Sequence, residues 1–402
     1  MVPKMIQLAL AASALALPAG LAAEETQTAP QRDLHYIPPL AVADAVPSDS
    51  DAGLAVFTPT KDPIRHTIDY EIWDYALKQI VMAMGPSDRQ SMRRADPING
   101  TRIQQGPQSR YRLEGSVVMY NFLTKDAIAS FTEYRKDLES VTNTLDIASL
   151  PRNEQLAFWI NLHNVALLEQ LALAWPVREP REVTLNGVPL DEARFITIKG
   201  IPVSLRDIRE DIVFRHWRDP KVIYGFWRGE IGGPELQQFA FTGDNVGGLL
   251  DIAAQDYVNS LRGTQKREDR LEVASLYAEV APFYFPNFEA DLRAHLGKYA
   301  EEPVQQLLAE TRRIDPAIRE TRIADLHGGA RPANYIFDDS IASGPGVDLI
   351  GWATRLGPGA GQLVAARARK LHVMMLRGQP TGRVFMTNVA LPDDHPNANA
   401  VE

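Results

Sequence analysis

The sequence predicts an α+β fold: a helical body around one buried central helix, with a β-hairpin-rich insert and a small sheet. Three observations carry that expectation. Residues 153–168 are apolar nearly all round, which marks a helix buried on every side rather than a surface one. Asn186-Gly187 stands between Val183-Thr184-Leu185 and Val188-Pro189-Leu190, a strong short-range hairpin signal. Around these stretches lie several segments with apolar residues at helical spacing, bounded by caps and Gly/Pro punctuation.

The chain opens with Lys4, an apolar run over residues 5–17, then Pro18 and the small residues Gly20-Leu21-Ala22-Ala23. That charged, apolar and small-residue order predicts a secretory signal peptide over residues 1–23, cleaved near Ala22 or Ala23. The run is short for a membrane span, and no later stretch is expected to be a transmembrane segment. The expected location is therefore periplasmic or secreted. Residues 24–63, rich in Pro, Ala, Ser, Thr and Asp, read as a disordered or surface-hugging lead in which Leu34-His35-Tyr36-Ile37 docks on the body. The principal domain is expected over residues 64–340 and a C-terminal appendage over 341–402.

Within the domain, residues 68–84 have the spacing of an amphipathic helix and residues 93–108 read as a polar loop. Residues 116–120 read as extended. Thr124 is a candidate N-cap for a helix over 125–140 with Ile128, Phe131, Tyr134 and Leu138 as its apolar stripe. Ser149 or Asn153 caps the central helix and Trp175-Pro176 stops it. After the first hairpin, Phe195-Ile196-Thr197-Ile198, the Lys199-Gly200 turn and Ile201-Pro202-Val203 predict a second. Ser204-Leu205-Arg206-Asp207 resembles a capping box for a helix to Trp217. The β-branched and aromatic residues 221–227 predict a buried strand, which ends in the loop Gly229-Glu230-Ile231-Gly232-Gly233-Pro234.

Downstream, Thr242 or Asp244 caps a helix to about Leu261, and residues 271–285 read equally as strand or helix. Further helices are expected over 287–296, closed by Gly297, and over 303–312. Tyr335-Ile336-Phe337-Asp338-Asp339-Ser340 ends the body. A Gly/Pro-rich link over 344–361 leads to a basic segment, residues 363–377. It is expected to pack as a short helix with solvated basic side chains rather than to lie on an anionic membrane surface.

At 402 residues and 45% hydrophobic content the chain can bury a large core. A net charge of -9 without a basic stripe argues against a nucleic-acid partner. With no cysteine, disulfides, thiolate catalysis and Cys-ligated metals are excluded together. The eight histidines are scattered without the i, i+4 pairing of a helical zinc site, so no metal and no cofactor is implied. There is no Gly-x-Ser-x-Gly elbow.

Four blocks in order resemble the domain-of-unknown-function 547 family. They are Leu156-Ala157-Phe158-Trp159-Ile160-Asn161-Leu162-His163-Asn164, Val203-Ser204-Leu205-Arg206-Asp207-Ile208, Asp219-Pro220 with the run to Gly229, Pro234 and Leu236, and residues 335–340. The likeness spans about residues 114–340. His163 stands where the family's helix usually has tyrosine. Where the resemblance implies Glu-His, His, Cys-Gly and a second Cys, this chain has Arg209-Glu210, Ile223, Arg228-Gly229 and Gly233. The resemblance therefore implies that any cysteine chemistry of the family is not performed here in that way.

The candidate site residues follow. Trp159, Asn161 and Asn164 either line a pocket or serve structurally, the two amides bonding the backbone of the insert or of the Arg228 loop. His163 is a candidate acid or base, or a satisfied interior histidine. The Arg228–Pro234 loop is either an anion-binding nest or a tight connection with positive φ at Gly232 or Gly233. Glu210 and Glu230 are a conceivable carboxylate pair, or ordinary surface glutamates. The functional expectation is an exported, non-catalytic or catalytically degenerate protein that binds an envelope ligand or protein. The alternative is a hydrolase or transferase on an envelope amide or sugar polymer using His163, Glu210, Arg228 or Glu230. A purely structural interaction module is a third class.

Overall fold

The computed structural model describes residues 51–59, 66–92, 106–332 and 347–382. The expected signal peptide, the 34–37 segment and the 335–340 block lie outside the described residues.

The first turns, α1 (Asp51–Leu54) and a 3₁₀ turn (Ala55–Phe57), send Leu54 and Phe57 into the main core, where Phe57 meets Trp159 edge-on at 5.3 Å. Part of the expected lead is therefore core. Helix α2 (Glu71–Ile80) follows, and its chain turns directly into β1 (Val81–Ala83). The expected helix over 68–84 stops early because Val81 and Met82 pair antiparallel with Val118 and Val117 of β2 (Ser116–Val118). Helix α3 (Lys125–Val141) starts at Thr124, whose Oγ1 accepts from the Ala127 amide at 3.1 Å.

Helix α4 (Arg152–Ala174) is the central helix, buried on all sides from Glu154 to Leu168. It is long and apolar enough to cross a membrane by length and composition, and that character is accounted for by burial inside the protein. Its N-cap is Pro151 with no side-chain cap, not Ser149 or Asn153. Gln155 Nε2 instead holds the approaching chain by donating to the Ala148 and Leu150 carbonyls. Helix α3 is tied to α4 by Arg135, whose Nε donates to Glu169 at 2.5 Å.

Both hairpins form where the turn residues place them. Strands β3 (Thr184–Leu185) and β4 (Val188–Pro189) close over Asn186 and Gly187, at φ 52 and 82. Strands β5 (Ile196–Ile198) and β6 (Ile201–Val203) close over Lys199 and Gly200, at φ 51 and 79. The capping box is also realised: Ser204 Oγ accepts from the Asp207 amide at 3.0 Å, and Asp207 Oδ2 accepts from the Ser204 amide at 2.9 Å. The helix it opens is wound as a π-helix over Asp207–Phe214, a form often found at functional sites.

Residues 221–227 are not a strand. Pro220–Gly225 is a 3₁₀ helix started by Asp219, whose side chain accepts from the Lys221 amide. An apolar run reports burial without distinguishing strand from coil, and here side chains of α4 supply the partners a sheet would have supplied.

The remainder comprises α5 (Val246–Val258), β7 (Thr264–Arg267), β8 (Arg270–Ala274), the single turns α6 (Leu276–Glu279) and α7 (Ala281–Tyr284), α8 (Phe288–Tyr299), α9 (Glu302–Glu310) and β9 (Arg313–Ile318). Strand β8 pairs antiparallel with β7 and parallel with β9, a three-stranded sheet in order β7-β8-β9. Residues 271–285 thus resolve into strand, then turns. Helix α5 is capped at Asn245, which exchanges side-chain and backbone bonds with Thr242. Helix α8 runs through Gly297, which does not end it.

From Val347 on, the expected link is helical too. Helix α10 (Val347–Leu376) breaks only at Gly357 (φ 64), before Pro358. Its Ala360 and Leu363 pack with Met84, Leu113, Val117 and Leu326. Two of its basic side chains are anchors rather than solvated: Arg367 Nε donates to the Ala83 carbonyl at 2.6 Å, and the buried Lys370 donates to the Leu113 and Pro86 carbonyls at 2.7 and 3.0 Å.

Candidate functional site

On α4 the two asparagines are committed to backbone. Asn161 Nδ2 donates to the Phe241 carbonyl at 2.7 Å while its Oδ1 accepts from the Phe241 amide at 3.1 Å. Asn164 does the same across the 3₁₀ segment, donating to Gly225 O at 2.9 Å and accepting from the Trp227 amide at 3.1 Å. Trp159 is 1% exposed and packs between Phe57 and Phe158. These three side chains brace the interior instead of lining an opening.

His163 is fully buried, with Phe226 edge-on at 5.1 Å. Its Nε2 lies 3.0 Å from Arg209 Nη1. A guanidinium can only donate, so Nε2 accepts, and the ring proton sits on Nδ1, directed at Asn164 Oδ1 3.0 Å away. Burial first, then the charge of Arg209, pushes the imidazole well below its ordinary pKa, so the ring is neutral.

Arg209 is 1% exposed and grips Asp191 with both arms, Nη1 to Oδ1 and Nη2 to Oδ2, each at 2.7 Å. Burial opposes the Asp191 charge, but Arg209, with Arg228 behind it, holds the carboxyl well below the usual carboxylate range. The result is a chain of contacts from the surface to the spine: Asp191, Arg209, His163, Asn164, backbone.

Arg228 stands beside that chain, with 19% of its side chain exposed. Its Nη1 lies 3.9 Å from Asp191 Oδ2, and its Nη2 donates to Glu279 Oε2 at 3.3 Å. Glu230 is half-buried. Burial pushes its carboxyl up to about 8, with Arg228 working against the shift and Glu279 adding to it. Burial also raises Glu210, opposed by Arg209, Arg206 and Arg228. The four candidates His163, Glu210, Arg228 and Glu230 therefore share one electrostatic neighbourhood. Among the described residues, no three His, Asp or Glu side chains gather as metal ligands would.

The glycine loop does not form an anion nest. The amides of Ile231, Gly232 and Gly233 donate to the carbonyls of Arg322, Glu320 and Glu230. The positive φ falls on Gly229 (φ 75), not on Gly232 or Gly233. A Cβ on Gly229 would stand 2.6 Å from Leu171 Cδ1, and one on Gly232 would stand 2.5 Å from the Glu320 carbonyl oxygen. Gly229→Ala is thus expected to lose at least ~2 kcal/mol of stability, from left-handed strain plus overlap with α4. Denaturant unfolding of the variant checks this.

Glu230 supplies a second test. Its folded pKa, about 8, lies above the ordinary glutamate value near ~4.3. The folded state keeps a proton that the unfolded chain has already lost, so stability falls as pH rises between those values. Glu230→Gln should match the parent near pH 4 and exceed its Tm above pH 8, by ~2 °C for each kcal/mol involved.

Asp191 and Arg209 were not singled out as site residues from the sequence. A signal for Arg209 was present: Leu205, Ile208, Arg209, Ile212 and Val213 follow the i, i+3, i+4, i+7, i+8 stripe, and all five are buried. A charge inside a buried stripe must meet an opposite one. Nothing local identifies Asp191 as that partner.

The comparisons with known proteins complete the picture. No curated protein and no solved structure matches the chain. One family model does, over residues 147–258, shorter than the 114–340 span of the resemblance. The matched span contains His163, Asp191, Arg209, Glu210, Arg228 and Glu230, and leaves Glu279 outside. Residues 147–258, from the approach to α4 to the end of α5, match the family model described as Protein of unknown function, DUF547.

Proposed function

We propose that this is an exported envelope protein that acts by binding, a catalytically degenerate member of its family, with the Arg228 neighbourhood as its ligand contact. One observation carries the reading. His163, which stands where the family's helix usually has tyrosine, is sealed: it is buried, neutral, and engaged at both ring nitrogens by Arg209 and Asn164. A general base must reach the proton it takes, and this one reaches only protein. The absence of cysteine removes the other nucleophile the resemblance would imply. Export is supported by Lys4, the apolar run and the small residues before Glu24.

The tests are direct. Expression of the full chain in a Gram-negative host should yield periplasmic protein whose N-terminal sequencing starts near Glu24. Purified protein should show no turnover of envelope amide or sugar polymers. Turnover abolished by His163→Ala or Arg228→Ala would overturn the binding reading.

A second reading, a hydrolase or transferase on an envelope amide or sugar polymer, is favoured by Glu230 alone. A half-buried carboxyl that keeps its proton to about pH 8 beside a guanidinium has the character of a general acid. That reading expects activity that falls as pH rises past 8 and that Glu230→Gln removes.

A further inference from the structure

Among the arginines of this neighbourhood, Arg209 has both Nη atoms engaged, leaving only its buried Nε without a partner. It has two 2.7 Å bonds to Asp191 and a third contact to His163. Arg206 lies 3.0 Å from Glu192 and 3.7 Å from Asp191, and is itself half-exposed. Arg228 differs. Its single hydrogen bond is long, 3.3 Å, and goes to Glu279, whose side chain is 57% exposed. Its other arm stops 3.9 Å short of an Asp191 already held by Arg209. The stem of Arg228 is fixed against Gly233, where an added Cβ would lie 3.1 Å from Arg228 Cβ. A guanidinium held in place, open on one side and loosely covered by one mobile-length acidic side chain, is a ready receptor for a planar oxyanion.

We propose that Arg228 receives the carboxylate of a small ligand or chain end, in the position that Glu279 covers. This deepens the binding reading above and rests on it. The class is argued from charge. Asp191 and Glu279 already place two negative charges by this guanidinium, so a monoanion is tolerated where a phosphate dianion meets repulsion. Glu230 is within electrostatic range of Arg228, Glu279, Arg181 and Glu179, and burial keeps its carboxyl neutral through neutral pH. Above about pH 8 it becomes a third negative charge acting on that guanidinium.

The test titrates the full-length protein, without its signal peptide, by calorimetry with N-acetyl-alanine, alanine amide and inorganic phosphate. N-acetyl-alanine should bind, the neutral amide at least tenfold more weakly, and phosphate more weakly than the carboxylate. Affinity should fall severalfold between pH 7 and 9, and Glu230→Gln should flatten that fall. Arg228→Met should abolish binding. Glu279→Gln should tighten binding severalfold by removing the competitor, a gain that misfolding cannot imitate. Equal binding of acid and amide, tighter binding of phosphate, or no gain in Glu279→Gln would overturn the proposal. Turnover would overturn the binding-only reading without touching these outcomes, so the two failures are distinguishable.

Discussion

Asn164→Ala is expected to lose ~4 kcal/mol of folding stability, the largest effect of any single substitution considered. The amide satisfies the Gly225 carbonyl, the Trp227 amide and the His163 ring N–H, all buried. Each backbone group left unpaired in the interior costs about 1–3 kcal/mol, and alanine pairs with none of them. Against a typical total of about 5–15 kcal/mol, this brings the domain close to unfolding at ambient temperature. Urea unfolding followed by tryptophan fluorescence should show a lower midpoint with an unchanged slope. Asn161→Ala should behave alike through Phe241. A loss under about 1 kcal/mol for Asn164→Ala would mean that water replaces the amide without penalty.

That prediction locates what was legible in the sequence. An apolar helix bearing two asparagines announces that something polar meets them, and both hairpins and the Thr124 cap are written in local turn and cap chemistry. What meets the asparagines is not local. Phe241 and the Gly225–Trp227 stretch lie about sixty to eighty positions away, and only the packing of the 3₁₀ segment on α4 brings them there. The same limit explains the misread strand over 221–227, where β-branched residues reported burial and said nothing of the partner. It also explains Asp191. An aspartate after a hairpin looks like a solvated turn residue, and its bond to a buried arginine eighteen positions later depends on how the insert folds back.

Asp191→Ala is expected to follow the two asparagine variants in size, at ~3 kcal/mol at pH 7. Breaking a buried pair from one side typically costs about 3–5 kcal/mol, and the lower end applies because Asp191 is itself 36% exposed. The loss falls on Arg209, left 1% exposed with only a neutral imidazole beside it. The pH dependence follows from the depressed carboxyl. Its folded pKa lies below the unfolded value near ~3.9, so its contribution is fully present above that value and disappears as pH falls through the folded one. Parent and variant should therefore differ most above pH 5 and converge in acid. Thermal melts from pH 2 to 7 read this directly, and a constant gap across that range would contradict it. Asp191→Asn separates charge from shape, and a cycle with Arg209→Met isolates the pair.

The C-terminal helix α10 is fastened by side chains that donate to main-chain carbonyls: Arg367 to Ala83, Lys370 to Leu113 and Pro86. Every residue presents the same carbonyl whatever its side chain. At these anchors the docking is thus specified by the route of the chain at β1 and its neighbours, and not by residue type, while the apolar cluster of Met84, Leu113, Val117 and Leu326 fixes the other side of the helix. Side chains at positions 83 and 86 are free to drift without releasing these bonds, provided that route is kept, whereas Leu113 also packs on α10 through its side chain. Of the partners in these bonds, only the two donors are constrained in residue type. A search for compensating residue pairs across this contact would find none at these anchors, although the attachment is specific.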